Sequence, residues 1–312
     1  MKNWAAEAKA IIRRHGTVIL VTLGRSKGST PRGPGTKMLV GRDETSGTIG
    51  GGNLEYLVTE QARKMLDSAG VNLRYQHFAL GPLLGQCCGG ATNVLFEKLN
   101  PEHLPLLDQV IEVVENKRPY GLISVTKGNE VKKHFVTAAP GDNDDEISEW
   151  HRNDALPLYM FGAGHVGKAM ALVLGRLNFE VTWIDDRKNQ FPEIVADNVT
   201  KILSGDPVSH VSLAPAGSIF LIFTYSHNLD YNITDAVLKR DDFLYCGLIG
   251  SQTKRTRFKK YFLKSGGPAD QLKKLTCPVG LCAITGKSPD IIAIAVAAEL
   301  LSLPYIEQEG PQ

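Results

Sequence analysis

A glycine pattern between a strand and a helix is the feature of this sequence that most restricts its fold. The apolar segment LPLYMFGAG runs into residues 162–167, GAGHVG, which have the form GxGxxG. A helical pattern, HVGKAMALVLGRL, follows, and the strand-like segment FEVTWIDD then leads to Asp185. Glycines in this position permit a tight turn, and the helix N-terminus beyond it can accept a phosphate. The pattern predicts a strand–turn–helix–strand unit of a parallel sheet.

The rest of the chain extends this unit into a fold prediction. From Leu156 onward, the apolar segments VTKIL, GSIFLIFT and FLYCGLIG alternate with helical stretches, which predicts a Rossmann-like, doubly wound parallel sheet. Before it, the strands TVILVTL, TKMLV, LRYQHFAL and TNVLFEKL are mixed with helices. We expect an α/β chain with an N-terminal α+β domain at 1–140, an acidic, aperiodic linker at 141–154 and a Rossmann-like C-terminal domain at 155–312.

The glycine turn is a candidate site for NAD(P) or another nucleotide. Gly162, Gly164 and Gly167 are the three glycines of the pattern, and Asp185 lies at about the spacing of the acid that binds a ribose. His165 in the first turn of the helix either donates to a ligand phosphate or fills space. The alternative for the whole turn is a Rossmann turn that serves packing alone.

A second glycine-rich segment, GTIGGGNLE, places Gly50, Gly51 and Gly52 ahead of a helix. Consecutive backbone N–H groups there predict an anion-binding nest, whereas a tight turn with positive φ angles is the alternative. Three glycines in a row exceed what a turn needs, which favours a ligand cradle. Arg32 in STPRGPG adds a planar cation suited to a phosphate or to the edge of a pterin, unless it is simply solvated.

The segment GQCCGG contains two adjacent cysteines between glycines. Exposed thiols of Cys87 and Cys88 can hold sulfur, bind a soft metal or attack an electrophile. The flanking glycines, which include Gly89 and Gly90, admit another molecule and argue against a pair of buried cysteines. Gln86 can hydrogen-bond the edge of a heterocycle. We expect Cys246, in an apolar strand, to be structural, and the pattern leaves Cys277 and Cys282 ambiguous.

Composition excludes several classes of protein. The 312 residues carry 35 basic and 33 acidic side chains, a net charge of +2 that gives no argument for nucleic-acid or membrane binding. The sequence has no uncharged apolar stretch of roughly 18 residues, and its N-terminal segment lacks the apolar run and cleavage site of a signal peptide, so we expect neither a membrane span nor a signal peptide. The five cysteines include no CxxC pair, so they predict free thiols in a reducing cytoplasm and not a disulfide framework.

The C-terminal part contains a false phosphate-loop motif and an unusually apolar helix. GLCAITGKS has five residues between its glycines instead of four, and Ser288-Pro289 is better explained as an N-cap followed by proline at the first helical position. The helix that follows, SPDIIAIAVAAELLSL, is apolar on nearly every face. It is either deeply buried or part of a subunit interface, and we expect a homodimer.

Together these segments resemble the xanthine dehydrogenase accessory protein family, the XdhC/CoxI type, over nearly the whole chain. The matching segments are STPRGPGTKMLV, GTIGGGNLE, GQCCGG, FGAGHVGKA, WIDDR, FTYSHNLD, LIGSQTKR and CPVGLCAITGKSPDIIAIAVAAELL. The double cysteine resembles the branch that serves xanthine dehydrogenase. The family often has alanine at the position of Gly167, which predicts that the helix packing tolerates a methyl group there.

The resemblance implies a molybdenum cofactor (molybdopterin) insertion chaperone, more an accessory maturation protein than an enzyme with its own turnover. Such a protein binds the cofactor, promotes exchange of an oxo ligand for a terminal sulfido, and delivers it to xanthine dehydrogenase or a related molybdenum hydroxylase. A cysteine desulfurase is the implied sulfur donor. Cys87 or Cys88 would contact molybdenum, with Cys88 favoured, and we expect the cofactor in a cleft between the two domains.

Two other functions remain open from the residues. An NAD(P)-dependent oxidoreductase rests on the glycine turn, but no convincing acid–base set accompanies it, and His227 is the one candidate considered. A thiol redox or metal-storage protein rests on the cysteines, and the absence of CxxC counts against it.

Overall fold

The computed structural model describes residues 4–30, 32–68, 70–80, 90–116, 120–127, 130–136, 146–151 and 155–304. The chain divides into two compact units, Met1–Asn153 and Asp154–Gln312. No helix among the described residues is long and apolar enough to cross a membrane.

The first unit contains a five-stranded antiparallel sheet with helices on both faces. Its elements are α1 (Trp4–His15), β1 (Val18–Lys27), β2 (Lys37–Val40), β3 (Thr45–Gly47), α2 (Gly52–Asp67), β4 (Leu73–Ala79), β5 (Ala91–Leu99) and α3 (Leu104–Glu115). The strand order is β3-β2-β1-β5-β4. On β1, Ile19 and Val21 pack with α2, whereas Val18 and Leu20 pack with α1 and α3. Because both faces are covered, this strand is a continuous apolar run and not an alternating one.

A separate three-stranded antiparallel sheet corrects the linker prediction. It consists of β6 (Tyr120–Lys127), β7 (Glu130–Val136) and β8 (Glu146–His151), in the order β7-β6-β8. Strand β8 lies within the predicted acidic linker 141–154 and pairs with the second edge of β6. Sheet pairing uses main-chain groups, so an acidic composition does not prevent it. Residues 141–145 and 152–154 of that segment lie outside the described part of the chain.

The second unit confirms the predicted Rossmann-like fold. Its elements are β9 (Leu156–Phe161), α4 (His165–Leu174), β10 (Phe179–Asp185), β11 (Val199–Leu203), α5 (Ser209–Leu213), β12 (Ile219–Ile222), α6 (His227–Arg240), β13 (Tyr245–Leu248), α7 (Gln252–Lys264), β14 (Leu275–Thr276) and α8 (Pro289–Leu301). The sheet is parallel, in the order β11-β10-β9-β12-β13-β14. Counted within the unit this is the order 3-2-1-4-5-6 of doubly wound dinucleotide-binding folds.

Helices cover both faces of this parallel sheet. Side chains of α4 and α8 pack with Leu158 and Trp183 on one face, and those of α6 and α7 pack with Phe161 and Phe220 on the other. The helices on the second face, α6 and α7, follow strands β12 and β13 directly. Their N-termini therefore lie at the carboxyl edge of the sheet, where ligands bind in folds of this class.

The C-terminal helix α8 begins as the sequence predicts and buries only part of its surface. Ser288 is the N-cap, its Oγ accepts from the backbone N–H of Ile291 at 3.4 Å, and proline occupies the first turn. One face of α8 packs against α4. The other leaves Ile291, Ile294 and Leu301 exposed by 37%, 54% and 44%. Their spacing of three and seven residues makes a continuous apolar stripe.

Candidate functional site

The topology of the first sheet brings three predicted loops to one end of it, here named the loop end. Strand β1 is antiparallel to both neighbours, and its last residue, Lys27, pairs with the first residue of β5, Ala91. Strands β3 and β4 run parallel in direction to β1, because each is antiparallel to its own neighbour. The loop end therefore contains residues 28–36 and residues 48–51. It also contains Leu80 and Gly90, which bracket the cysteine segment.

Gly90 joins the cysteine segment to the loop that carries Arg32. The backbone N–H of Leu80 donates to the carbonyl oxygen of Gly90 at 2.8 Å. A Cβ atom on Gly90 would lie 2.4 Å from the carbonyl oxygen of Ser29, so only glycine fits this contact without displacing the neighbouring loop. This role for Gly90 in packing was not predicted.

Of the predicted residues in the arginine and cysteine loops, the structure describes Arg32 and Gly90. Arg32 is exposed, and within the described residues its guanidinium makes no hydrogen bond or ion pair. It is therefore available to an anion. Gln86, Cys87, Cys88 and Gly89 lie outside the described residues.

At the predicted nest of Gly50, Gly51 and Gly52, a carboxylate of the same chain binds the backbone N–H of Gly51 and that of the preceding Ile49, and the N–H of Gly50 donates to Thr48 Oγ1 at 3.1 Å. All three glycines have positive φ angles, of 122°, 74° and 66°. Glu55 Oε2 accepts from the backbone N–H groups of Ile49 and Gly51, each at 3.0 Å, and from Thr48 Oγ1 at 2.5 Å. A ligand anion at these amides would have to displace Glu55.

The pKa of Glu55 reflects this arrangement. Burial alone would raise the pKa, but the hydrogen bonds from Thr48 and from the backbone of Gly51 and Ile49 outweigh it and lower the pKa below its ordinary value. Glu55 is thus ionised at neutral pH and acts as the anion of the nest. The three glycines are explained by their positive φ angles together with this internal contact.

In the second unit, Gly162 and Gly167 are required by close packing. Gly162 has a φ of 110°, and a Cβ on it would lie 2.4 Å from the carbonyl oxygen of Phe223. A Cβ on Gly167 would lie 2.0 Å from the carbonyl oxygen of Gly162. The prediction that alanine is tolerated at position 167 is therefore wrong for this backbone. Gly164, the N-cap of α4, has no atom within 4 Å of an added Cβ.

Asp185 holds the glycine turn and is saturated by donors of the same chain. Its Oδ2 accepts from the backbone N–H of Ala163 at 2.6 Å and from Arg187 Nη2 at 2.8 Å. Its Oδ1 accepts from the backbone N–H and the Nε of Arg187, at 2.8 and 2.9 Å. Burial opposes ionisation, but the bonds from Arg187 and Ala163 outweigh it and lower the pKa of Asp185. In this conformation no lone pair remains for a ribose hydroxyl.

Arg187 links this turn to an exposed tyrosine. Its guanidinium carbon lies 4.3 Å from the centre of the Tyr225 ring, and Tyr225 Oη donates to Asp186 Oδ2 at 2.9 Å. That hydrogen bond raises the pKa of Tyr225. The ring is therefore fixed at the carboxyl end of β12. His165 is exposed on the first turn of α4 and has no hydrogen-bonding partner among the described residues.

Beside Tyr225 lies a cavity of about 350 Å³, here named the α6–α7 cavity. The ends of β12 and β13 and the first turns of α6 and α7 form it, and its lining includes Tyr225, His227, Tyr231, Ser251, Lys254 and Arg257. The segments FTYSHNLD and LIGSQTKR, which carry part of the family resemblance, supply this lining, but nothing in the sequence indicates that they meet. Their common signal is a serine N-cap after an apolar strand, at Ser226 and at Ser251.

A buried ion pair organises one wall of the cavity. Asp230 is 1% exposed, and its Oδ1 accepts from the backbone N–H and the Oγ1 of Thr224 at 3.0 and 2.7 Å. Its Oδ2 accepts from Lys254 Nζ, which also donates to the carbonyl oxygen of Ile249 at 2.8 Å. Both oxygens of the carboxylate are thus engaged, and Lys254 keeps one of its three N–H donors.

The three described cysteines differ in exposure. Cys246 and Cys277 are buried, and burial raises the pKa of each thiol, so both remain protonated at neutral pH. This agrees with a structural role for Cys246, and Cys282 is exposed. Among the described residues, which do not include Cys87 and Cys88, no group of three or more His, Cys, Asp or Glu side chains is arranged to hold a metal.

Comparisons with known proteins agree with the architecture of both units. A family model described as the XdhC Rossmann domain matches residues 158–300, and one described as the XdhC and CoxI family matches residues 11–76. A crystal structure described as a xanthine dehydrogenase from Bacillus halodurans has the same fold, with a TM-score of 0.79 over 99% of this chain and 97% of that chain at 20% identity.

A curated relative aligns along nearly the whole chain. It is the protein YqeB of Escherichia coli (strain K12), which is 24% identical over 308 residues, or 96% of this chain. The chain spans about half, 46%, of the length of that relative. The two family matches, one in each unit, confirm the resemblance seen in the sequence: the chain belongs to the XdhC and CoxI family.

Proposed function

We propose that this protein is a maturation chaperone that binds molybdenum cofactor, supports its sulfuration and delivers it to xanthine dehydrogenase or a related molybdenum hydroxylase. Family membership supports the association with xanthine dehydrogenase. The observation that carries the proposal is the convergence at the loop end. There Arg32, whose guanidinium has no partner among the described residues, lies on the same end of the sheet as Leu80 and Gly90, which bracket the two cysteines.

The chemistry of these groups suits such a cargo. The cofactor combines a phosphate, a pterin and a soft molybdenum centre with a sulfido ligand. An arginine fork matches phosphate oxygens and pterin edges, and a thiolate is the protein ligand of choice for a soft metal. Cys87 and Cys88 would hold or guard the molybdenum–sulfido group, with Cys88 the favoured contact. A cysteine desulfurase would supply the sulfur.

Other functions have less support. The glycine turn alone favours an NAD(P)-dependent oxidoreductase, but Asp185, the predicted ribose ligand, is already saturated by Ala163 and Arg187. A thiol redox or metal-storage protein would typically use a CxxC pair, and the chain has no CxxC.

Cofactor release from the purified protein tests the proposal. The full-length chain is purified from cells with and without molybdenum cofactor synthesis, and bound pterin is released and measured by fluorescence. We expect pterin only from the first source. Cys88→Ala, and to a lesser degree Cys87→Ala, should lower the retained pterin or its transfer to the client enzyme. Loss of one thiolate or charge-assisted contact should weaken binding by about ten- to a hundredfold.

A matched control separates this site from general thiol chemistry. Cys282 is exposed in the second unit, so Cys282→Ala removes an accessible thiol that does not belong to the loop end. It should retain pterin like wild type. Pterin absent from every preparation, or retained equally by all three variants, would contradict the role of the cysteine pair. Bound NAD in place of pterin would favour the oxidoreductase.

A further inference from the structure

We infer that the α6–α7 cavity is a binding site for the phosphoryl group of a small ligand. The site lies wholly within the second unit, and the inference does not depend on the proposed cofactor chemistry at the loop end. Its volume of about 350 Å³ falls within the range of small-ligand pockets. Its position at the carboxyl ends of two parallel strands is where folds of this class bind ligands.

The first argument is the state of the two cations in the lining. Lys254 is only 11% exposed and is held by Asp230 and by the carbonyl oxygen of Ile249, so its third donor has a fixed position. Arg257, one turn further along α7, is exposed and makes no hydrogen bond or salt bridge with any residue that the structure describes. A positioned ammonium beside a free guanidinium matches the donors that phosphate oxygens accept.

The second argument is the charge at the start of α7. Acidic residues are favourable in the first turn of a helix, because the unpaired N–H groups there are partially positive. Helix α7 instead has no acidic residue in that turn and carries Lys254 and Arg255 there. All its charged residues are basic, since its sequence is QTKRTRFKKYFLK. Asp230 of α6 balances the charge of Lys254, whereas Arg257 has no acidic partner among the described residues, so an anion in the cavity would add a favourable interaction with α7.

The third argument is the convergence of two helix starts on the same space. His227, the first residue of α6, and Ser251 and Thr253, at the start of α7, all line the cavity. The capping side chains accept from Leu229 and Lys254, so each cap satisfies one amide of its first turn. The remaining first-turn amides and the two helix dipoles add to the attraction for a phosphoryl group.

Two tyrosines also line the cavity. Tyr225 is held by its bond to Asp186 and by its contact with Arg187, and Tyr231 packs against Phe258 and Tyr261 of α7. A phosphoryl group that carries a planar ring would find an aromatic surface here, whereas free phosphate or pyrophosphate would use the cations alone. Both ligands share the phosphoryl contact, which is the inferred feature.

Titration calorimetry on the full-length, pterin-free protein with inorganic pyrophosphate tests the inference. Arg257→Ala is compared with Arg255→Ala: both variants remove one exposed arginine from α7, but only Arg257 lines the cavity. We expect the dissociation constant of pyrophosphate to rise about ten- to a hundredfold in Arg257→Ala. In Arg255→Ala the dissociation constant should change by less than about threefold, because the lost charge lies outside the cavity lining and is screened by solvent and salt.

Each outcome decides the matter. The inference would be overturned if pyrophosphate did not bind at millimolar concentration, or if both variants lost the same amount of affinity. Equal losses would mean that only the general positive charge of α7 attracts the anion. A selective loss in Arg257→Ala supports it. Repeating the titration with phosphate and with AMP then identifies the source: tighter binding of AMP assigns the phosphoryl group to a nucleotide, and equal binding assigns it to the inorganic ion.

Discussion

Replacing Gly167 with alanine should destabilise the second unit, because the backbone of the glycine turn leaves no room for a methyl group. The added Cβ would lie 2.0 Å from the carbonyl oxygen of Gly162. An ordinary carbon–oxygen contact is about 3.3 Å or more, so the helix and the turn must separate by over an ångström. The same carbonyl accepts the Nε1–H of buried Trp183 at 2.9 Å, and that bond would be strained by the movement.

The magnitude combines two effects. Overpacking in a close-packed region costs about 1–3 kcal/mol, and weakening a buried hydrogen bond adds about 1 kcal/mol. We therefore expect Gly167→Ala to lower the free energy of unfolding by about 2–4 kcal/mol. In a unit of this size this corresponds to a fall in melting temperature of about 5–15 °C. The matched control is Gly164→Ala, since an added Cβ there meets no atom within 4 Å.

Differential scanning calorimetry is the suitable assay, because two units need not unfold in one transition. Tryptophan fluorescence in a background with Trp4 and Trp150 replaced by phenylalanine assigns the transition that belongs to the second unit, because the remaining Trp183 is fully buried there. Gly164→Ala should change the stability by less than about 1 kcal/mol. Equal melting of the two variants would refute the reasoning, since it would mean that α4 moves away from the turn without cost.

The remaining predictions concern the charge network, the apolar stripe and the thiols. Asp185→Asn should cost about 2–3 kcal/mol through the lost charge-assisted bonds to Arg187 and Ala163. Because folding lowers the pKa of Asp185, its carboxylate stabilises the folded state above the pKa of the unfolded chain, about 3.9, and this stabilisation is lost as the pH falls further. The free energy of unfolding of the wild type should therefore fall more steeply with acid than that of Asp185→Asn. If the protein is a homodimer through α8, Ile294→Lys should shift it to monomer in light scattering, whereas Leu213→Lys, at an even more exposed apolar position on α5, should not; a monomeric wild type at micromolar concentration would end this idea. Among the described thiols Cys282 should react with iodoacetamide in the native state, and Cys246 and Cys277 should react only on unfolding; rapid labelling of either buried thiol would contradict the static burial.

Local patterns in the sequence were enough for the elements and the fold of the second unit. The GxGxxG segment between a strand and a helix predicted β9, the glycine turn and α4, and Ser288-Pro289 predicted the start of α8. These features are local, because φ angles, caps and apolar periodicity depend on residues that are close in the chain. The sequence did not predict strand β8, because its pairing with β6 uses main-chain N–H and C=O groups, which every residue type but proline supplies in full.

Only the tertiary structure decided which groups meet. The register of β1 with β2 and β5 brings Arg32 and the brackets of the cysteine segment to one end of a sheet, although they are far apart in the chain. Glu55 binds the backbone N–H groups of Ile49 and Gly51, and Ala163 and Arg187 saturate Asp185, so two sites that the sequence leaves open are already occupied by the chain itself. The α6–α7 cavity joins Tyr225 to Arg257 across two strands. Sequence spacing carries no information on such contacts, because strand order and register are set by the packing of the whole core.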